Sequence, residues 1–219
     1  KRQVLYVNSI VPYKQRKVKI LNGSHTCLVP VSYLAGIDTV RETIEDPQLG
    51  KFVREYIFDE VIPTIDIPHD QMVAYSNSVL ERYGNPFVRH ELMSIALNSV
   101  TKYKTRNLPV VLQSIEAGSF PKHALFSLAA LIAFYRGKRG NEDIALKDDE
   151  WALDFFKKEW SNFDGSKEAC RRIVTDFLGL EHHWELNLNN LKGVTDFVTD
   201  CLYEIETKPM REALAFIGC

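Results

Sequence analysis

The chain has 219 residues, 45% hydrophobic and 26% charged, which is the balance of an ordinary globular domain with a sizeable core. A net charge of −2 excludes a general basic field for nucleic acid or anionic lipid, and no apolar run reaches the ~18 residues that a membrane span needs. Four cysteines, Cys27, Cys170, Cys201 and Cys219, stand without CxxC spacing and are expected as reduced thiols in a cytoplasmic protein with no metal site.

Residues 1–12 form a short β-like entry. The run KRQVLYVNSI has no signal-peptide cleavage pattern and no Met before it, so it reads as the interior of a longer protein. Beyond it the pattern is helical. Pro12-Tyr13 punctuates, and a helix runs from near Lys14 towards Gly36. Pro47 opens the next helix, QLGKFVREYIFDEVI, with Phe52, Val53, Tyr56, Ile57 and Val61 on its apolar side. Another spans Pro68 to Tyr83 and stops at Gly84. Asn85-Pro86 predicts an N-cap and first turn for one helix through FVRHELMSIALNSVTKY. Pro109 starts VVLQSIEAG, and Pro121 starts KHALFSLAALIAFYRG, the most apolar helix and the expected centre. The polar segment GKRGNEDIALKDD is expected to be a mobile connection. EWALDFFKKEW, KEACRRIVTDFLG, NNLKGVTDFVTDCLYEIET and MREALAFIG complete the helices. The aromatic-rich first of these reads as core plus a solvated face.

The pattern predicts an all-α, multi-helical domain over 1–219, with no strand–helix alternation. No GxGxxG follows a strand, and Gly137 with Gly140 falls in a loop after a helix. A dinucleotide would need its phosphate-binding half elsewhere.

The stretch KVKILNGSH, residues 17–25, puts polar groups at the mouth of an apolar helix, where burial is costly unless they are paired. On a regular helix Lys17 and His25 lie about 80° and about 12 Å apart, with Asn22 between them in height. Such a set suits proton and hydride transfer at a carbonyl. A lysine crowded by Lys14, Arg16 and Lys19 and partly desolvated can act as acid and base, an asparagine amide can hold a developing oxyanion, and a histidine can bind a hydroxyl. Gly23 leaves room for an approach to the backbone. Spacing alone equally allows a solvated lysine, a local kink and a core histidine.

Other candidates are basic or imidazole-bearing. KYKTR places Lys102, Lys104 and Arg106 at a helix end, where they suit a carboxylate or simply the helix dipole. His90 could face the same cleft. His182-His183 looks metal-like, but adjacent histidines point apart on a helix and no carboxylate stands at ligand spacing.

The stretch PYKQRKVKILNGSHTCLVPVSYLAG resembles the start of the C-terminal domain of the mannitol dehydrogenase family, the polyol-specific long-chain dehydrogenases. The signature is Lys, four residues, Asn, two residues, His, matched here by Lys17, Asn22 and His25 in the context LNGSH. The resemblance continues through Asp46-Pro47, RYGNPFVRH and the helix after Pro121. IALNSVTKYKTRNLP and FSLAALIAFYRG point to hexuronate-reducing members.

The resemblance implies a helical C-terminal domain like those of 6-phosphogluconate dehydrogenase-like proteins. It implies an N-terminal Rossmann domain before residue 1, NAD bound mainly by that domain, a sugar acid or polyol as substrate, and no catalytic metal. It implies Lys17 as acid–base, Asn22 at the carbonyl oxygen and His25 on the substrate. A second oxyanion asparagine is implied from outside this region. Three readings stay open: a hexuronate reductase, an enzyme for another hexuronate or a neutral polyol, and a helical binding or assembly module without chemistry.

Overall fold

In a computed structural model, which describes residues 10–219, the chain folds into helices with one small hairpin. The N-terminal half runs α1 (Val11–Arg16), a π-helical turn (Lys17–Asn22), α2 (Gly23–Leu34), α3 (Val40–Glu45), α4 (Pro47–Glu55) and a second π turn (Tyr56–Val61). A 3-10 turn (Ile62–Thr64), α5 (His69–Tyr83), α6 (Leu92–Ile95), α7 (Ser99–Arg106) and α8 (Leu108–Glu116) follow. Then come α9 (Lys122–Phe134), the hairpin β1 (Lys138–Arg139) and β2 (Glu142–Asp143), α10 (Glu150–Ser161) and α11 (Lys167–Leu178). The chain finishes with α12 (Glu181–Trp184), a 3-10 turn (Leu188–Asn190), α13 (Val194–Thr207) and α14 (Met210–Ala215).

Helix α9 is the axis of the domain. Every residue from His123 to Phe134 is buried, as expected of a helix apolar all round. It packs between α2 and α13, and α11 covers α13 on the far side. The start of α9 is capped from a distance: the Glu60 carboxylate accepts from the backbone N–H groups of His123 (2.7 Å) and Ala124 (2.9 Å). A buried carboxylate thus meets the positive end of the central helix dipole. Helix α4 starts as its sequence dictates, with Asp46 accepting from the N–H groups of Gln48 and Leu49 and Pro47 in the first turn. A capping box of Thr39 and Glu42 starts α3.

Three sequence expectations differ from the structure. The β-like entry falls largely on residues 1–9, outside the described residues, and its remainder is not extended: α1 begins at Val11, with Pro12 in its first turn.

The single helix expected after Asn85-Pro86 does not form. The Asn85 side chain accepts from the Phe87 N–H (3.0 Å), the bond an N-cap would make, but the Val88 N–H closes a local turn on the Asn85 carbonyl and no helix follows. The following residues stay extended: the Val40 N–H donates to His90 and the Leu92 N–H to Asp38, around a Thr39–Glu91 bridge. Helix then resumes in two pieces, α6 and α7, separated at Asn98, whose left-handed conformation (φ 50°) interrupts it.

The polar GKRGNEDIALKDD segment holds the β1–β2 hairpin, anchored rather than loose. Arg139 pairs with Asp38 (2.5 Å) and lies over the Tyr33 ring.

Candidate active site

The opening motif occupies the π turn and the first turns of α2. The Gly23 N–H reaches back five residues to the Val18 carbonyl, the signature of the wider turn. Residues five apart, not four, are joined by backbone bonds in such a turn, which turns Lys17 and Asn22 towards one side. His25, three residues further on, continues the same side.

The side chains differ sharply in surroundings. Lys17 is exposed, so the partial desolvation expected of it is absent among the described residues. The buried lysine of the segment is Lys19. Its Nζ donates to the Thr64 carbonyl (3.0 Å), the Thr64 hydroxyl (3.1 Å) and Gln113 Oε1 (2.5 Å), which uses all three ammonium donors. Burial pushes the Lys19 ammonium down to about 8. It pins the π turn to the 3-10 turn and α8, with no donor left over for a ligand. Asn22 is half-buried, and no side chain or backbone group among the described residues pairs with its amide.

His25 stacks on Tyr83 (centroids 4.4 Å) and meets His90 edge-on at 5.1 Å. Its Nε2 is buried with no hydrogen-bond partner among the described residues. Burial, with His90 and Arg106 alongside, pushes its imidazolium down to about 3, so the ring is neutral near pH 7. In the unfolded chain it titrates near its ordinary 6.5. Between those values the unfolded state binds more protons, so stability falls as pH drops from about 6.5 towards 3. In the full-length protein the His25 ring should stay neutral to pH 4 by NMR, and His25→Gln should flatten the acid limb of the stability curve. A ring titrating near 6.5 in the folded protein would refute this.

Behind the motif the packing is tight. Tyr83 donates its hydroxyl to the Leu21 carbonyl (2.7 Å), and it lies 2.8 Å from the Ser24 hydroxyl. Asn107, fully buried between α7 and α8, donates to the Gly23 carbonyl (3.0 Å) and the Tyr56 hydroxyl (2.8 Å). The room left by Gly23 is taken by the protein itself: a Cβ there would stand 3.3 Å from the Tyr56 hydroxyl and 3.6 Å from the Arg106 carbonyl.

The basic candidates divide. Lys102 and Arg106, four apart on α7, share a face. Arg106 Nη1 donates to the Thr26 hydroxyl (3.1 Å) and the Asn22 carbonyl (3.4 Å), beside the motif. Lys102 Nζ donates to the Ile95 carbonyl (2.8 Å), and burial together with the Arg106 charge lowers its pKa. Lys104, two residues from each, points to the opposite side and pairs with Glu185 at 2.7 Å. His90 is half-buried against His25, delivered there by the extended segment. His183 is buried against Trp151 and Trp184, and His182, although exposed, meets the edge of the same Trp151 ring at 5.6 Å. Tyr83, Thr26 and Asn107 were not singled out by sequence. Thr26 directly follows His25 in α2, whereas tertiary packing brings Tyr83 and Asn107 to the motif.

All four cysteines are free thiols, and no helix among the described residues is long and apolar enough to cross a membrane. The helical fold and the Lys–Asn–His stretch together define the class. The family model for the mannitol dehydrogenase C-terminal domain matches residues 9–206, and the chain belongs to that family. Curated relatives include the altronate oxidoreductases of Klebsiella pneumoniae strain 342, 44% identical, and of Enterobacter sp. strain 638, 43% identical, each over 212 residues and 96% of this chain. The chain spans 44% of the length of these relatives. Among solved structures, Pseudomonas fluorescens mannitol 2-dehydrogenase, in a ternary complex with NAD and D-mannitol, superposes with a TM-score of 0.84 at 20% identity. It covers 96% of this chain and 42% of the other. A substrate-free D-sorbitol dehydrogenase gives 0.75 at 21% identity, over 95% of this chain and 41% of the other. These two show a shared fold.

Proposed function

We propose that this chain is the substrate-binding and proton-transferring domain of an NAD-dependent tagaturonate reductase, also called altronate oxidoreductase, working in the cytoplasm. The observation that carries the reading is the π turn that sets Lys17, Asn22 and His25 on one side, in a chain 44% identical to a protein of that name. The described residues contain no glycine-rich turn between a strand and a helix, so the dinucleotide would be held by a further domain of the same protein. When bound, the reduced nicotinamide supplies a hydride to the ketone carbon.

The remaining chemistry belongs to this chain. The Asn22 amide, without a partner among the described residues, donates to the carbonyl oxygen as negative charge builds on it. The Lys17 ammonium then gives that oxygen a proton; in the oxidative direction the free amine takes it back. Neutral His25, whose Nε2 has no partner among the described residues, binds a substrate hydroxyl, and His90 backs it from the edge. Lys102 and Arg106 face the substrate carboxylate. Lys104, committed to Glu185, is left out of the set.

The test is NADH oxidation by the full-length protein with tagaturonate, fructuronate and fructose side by side. The expected result is a kcat/KM for tagaturonate well above the other two. Preference for fructuronate or fructose would move the assignment to another hexuronate or to a neutral polyol. No turnover of any of them would favour a helical module without chemistry.

A further inference from the structure

Away from the motif, three residues distant in sequence converge where the end of α4, the start of α9 and the stretch after α14 meet. Glu55 closes α4, His123 stands in the first turn of α9, and Cys219 follows α14. Their ligand atoms all lie within 4.8 Å of one another. Glu55 Oε2 is 3.0 Å from His123 Nε2 and 3.2 Å from Cys219 Sγ. The other ring nitrogen, His123 Nδ1, is 2.7 Å from Glu60 Oε1, a carboxylate already fixed by the α9 N–H groups.

We propose that Glu55, His123 and Cys219 form a Zn²⁺ site, with Glu60 as the positioning residue that orients the imidazole. One oxygen, one nitrogen and one sulfur donor suit a borderline-soft tetrahedral ion. The carboxylate on the far ring nitrogen is the arrangement that holds ligating histidines in place. Thiolate and carboxylate together neutralise the ion's charge. The two lysines that face the cluster are already engaged, Lys51 Nζ with the Gly218 carbonyl and Lys122 Nζ with the Ile217 carbonyl, both at 2.6 Å. Lys51 also stands 3.6 Å from Glu55 Oε1, the oxygen turned away from the thiol. His123 is 2% exposed and Glu55 28%, so the cluster has a fixed inner wall and an open edge through which an ion and a fourth ligand, water, can enter. A bound ion would clasp Cys219, and with it the stretch after α14, to α4 and α9. This inference is independent of the proposed reaction, because the cluster shares no residue with the motif.

The test uses full-length protein stripped with chelator and titrated with Co²⁺, then Zn²⁺. The expected result is a thiolate-to-cobalt charge-transfer absorption that saturates, that Zn²⁺ displaces, and that Cys219→Ser abolishes. Zn²⁺ should raise the thermal midpoint of the wild type and leave that of Cys219→Ser unmoved. Glu55→Gln, a change at the accessible edge, should keep the fold and weaken Co²⁺ binding about tenfold or more. An absent charge-transfer band, or one that survives Cys219→Ser unchanged, would overturn the proposal and leave the cluster a hydrogen-bonded network only.

Discussion

Replacing Lys17 by alanine in the full-length protein should lower kcat by about 10²–10⁴-fold, the range for loss of a positioned acid–base group, with little change in KM. The structure makes this an unusually clean substitution. Lys17 is exposed, so its removal opens no cavity and strands no buried partner, and stability should move by no more than about 0.5 kcal/mol. Lys17→Arg separates two roles that alanine does not. Arginine keeps the positive charge near the substrate oxygen but does not release a proton at working pH. If Lys17 acts by proton transfer, the arginine variant is nearly as slow as alanine; if only its charge matters, much of the rate returns. Steady-state kinetics with a matched thermal melt decides it. A Lys17→Ala enzyme with near-normal kcat would remove Lys17 from the mechanism.

The polar groups at the mouth of α2 have two answers to the cost of burial. Lys19, the buried lysine, is fully paired by Thr64 and Gln113, and Tyr83 and Ser24 satisfy one another and nearby carbonyls. Lys17 stays in solvent, Asn22 half-emerges, and His25 remains neutral. The motif therefore rests on a rigid, satisfied floor while its outward groups keep their hydrogen-bonding capacity. That is the preorganisation an oxyanion-holding amide requires.

Long periodic segments such as α9, α4 and α13 were legible because one signal, apolar spacing, dominates over many residues. The motif residues were legible by type and order. The π turn was not, because nothing in KVKILN marks a wider turn. Which lysine is buried was also hidden: Lys17 and Lys19 differ only through Thr64 and Gln113, 45 and 94 residues away from Lys19. Asn85-Pro86 misled because the Asn side chain can cap a helix or close a turn, and the pairing of His90 and Leu92 with residues 38–40 chose the turn. The separation of Lys104 from Lys102 and Arg106, by contrast, could be read from helical spacing alone. The Glu55–His123–Cys219 cluster left no spacing signal, since its members join only when the domain is folded.

Neutralising Lys102 and Arg106 should then separate charged from neutral substrates. A charge-assisted hydrogen bond to a carboxylate contributes about 1.5–3 kcal/mol, so Lys102→Gln should raise KM for a hexuronate by about 10–150-fold and hardly alter it for a neutral ketose. Arg106→Gln should do the same and also lower kcat for both substrates, because Arg106 Nη1 holds the Asn22 carbonyl and the Thr26 hydroxyl as well. The guanidinium has five donors, which leaves others for a ligand beyond those two contacts. Lys102, bound to the Ile95 carbonyl by one of three donors, keeps two. Lys104→Gln is the internal control: it breaks an exposed pair with Glu185 and should leave the ratio of kcat/KM between the two substrates where it was. The measurement is that ratio, taken for all three variants. If Lys104→Gln moves it as far as Arg106→Gln, or if no variant moves it, the carboxylate is recognised elsewhere and the face of α7 shared by Lys102 and Arg106 serves only to brace the motif.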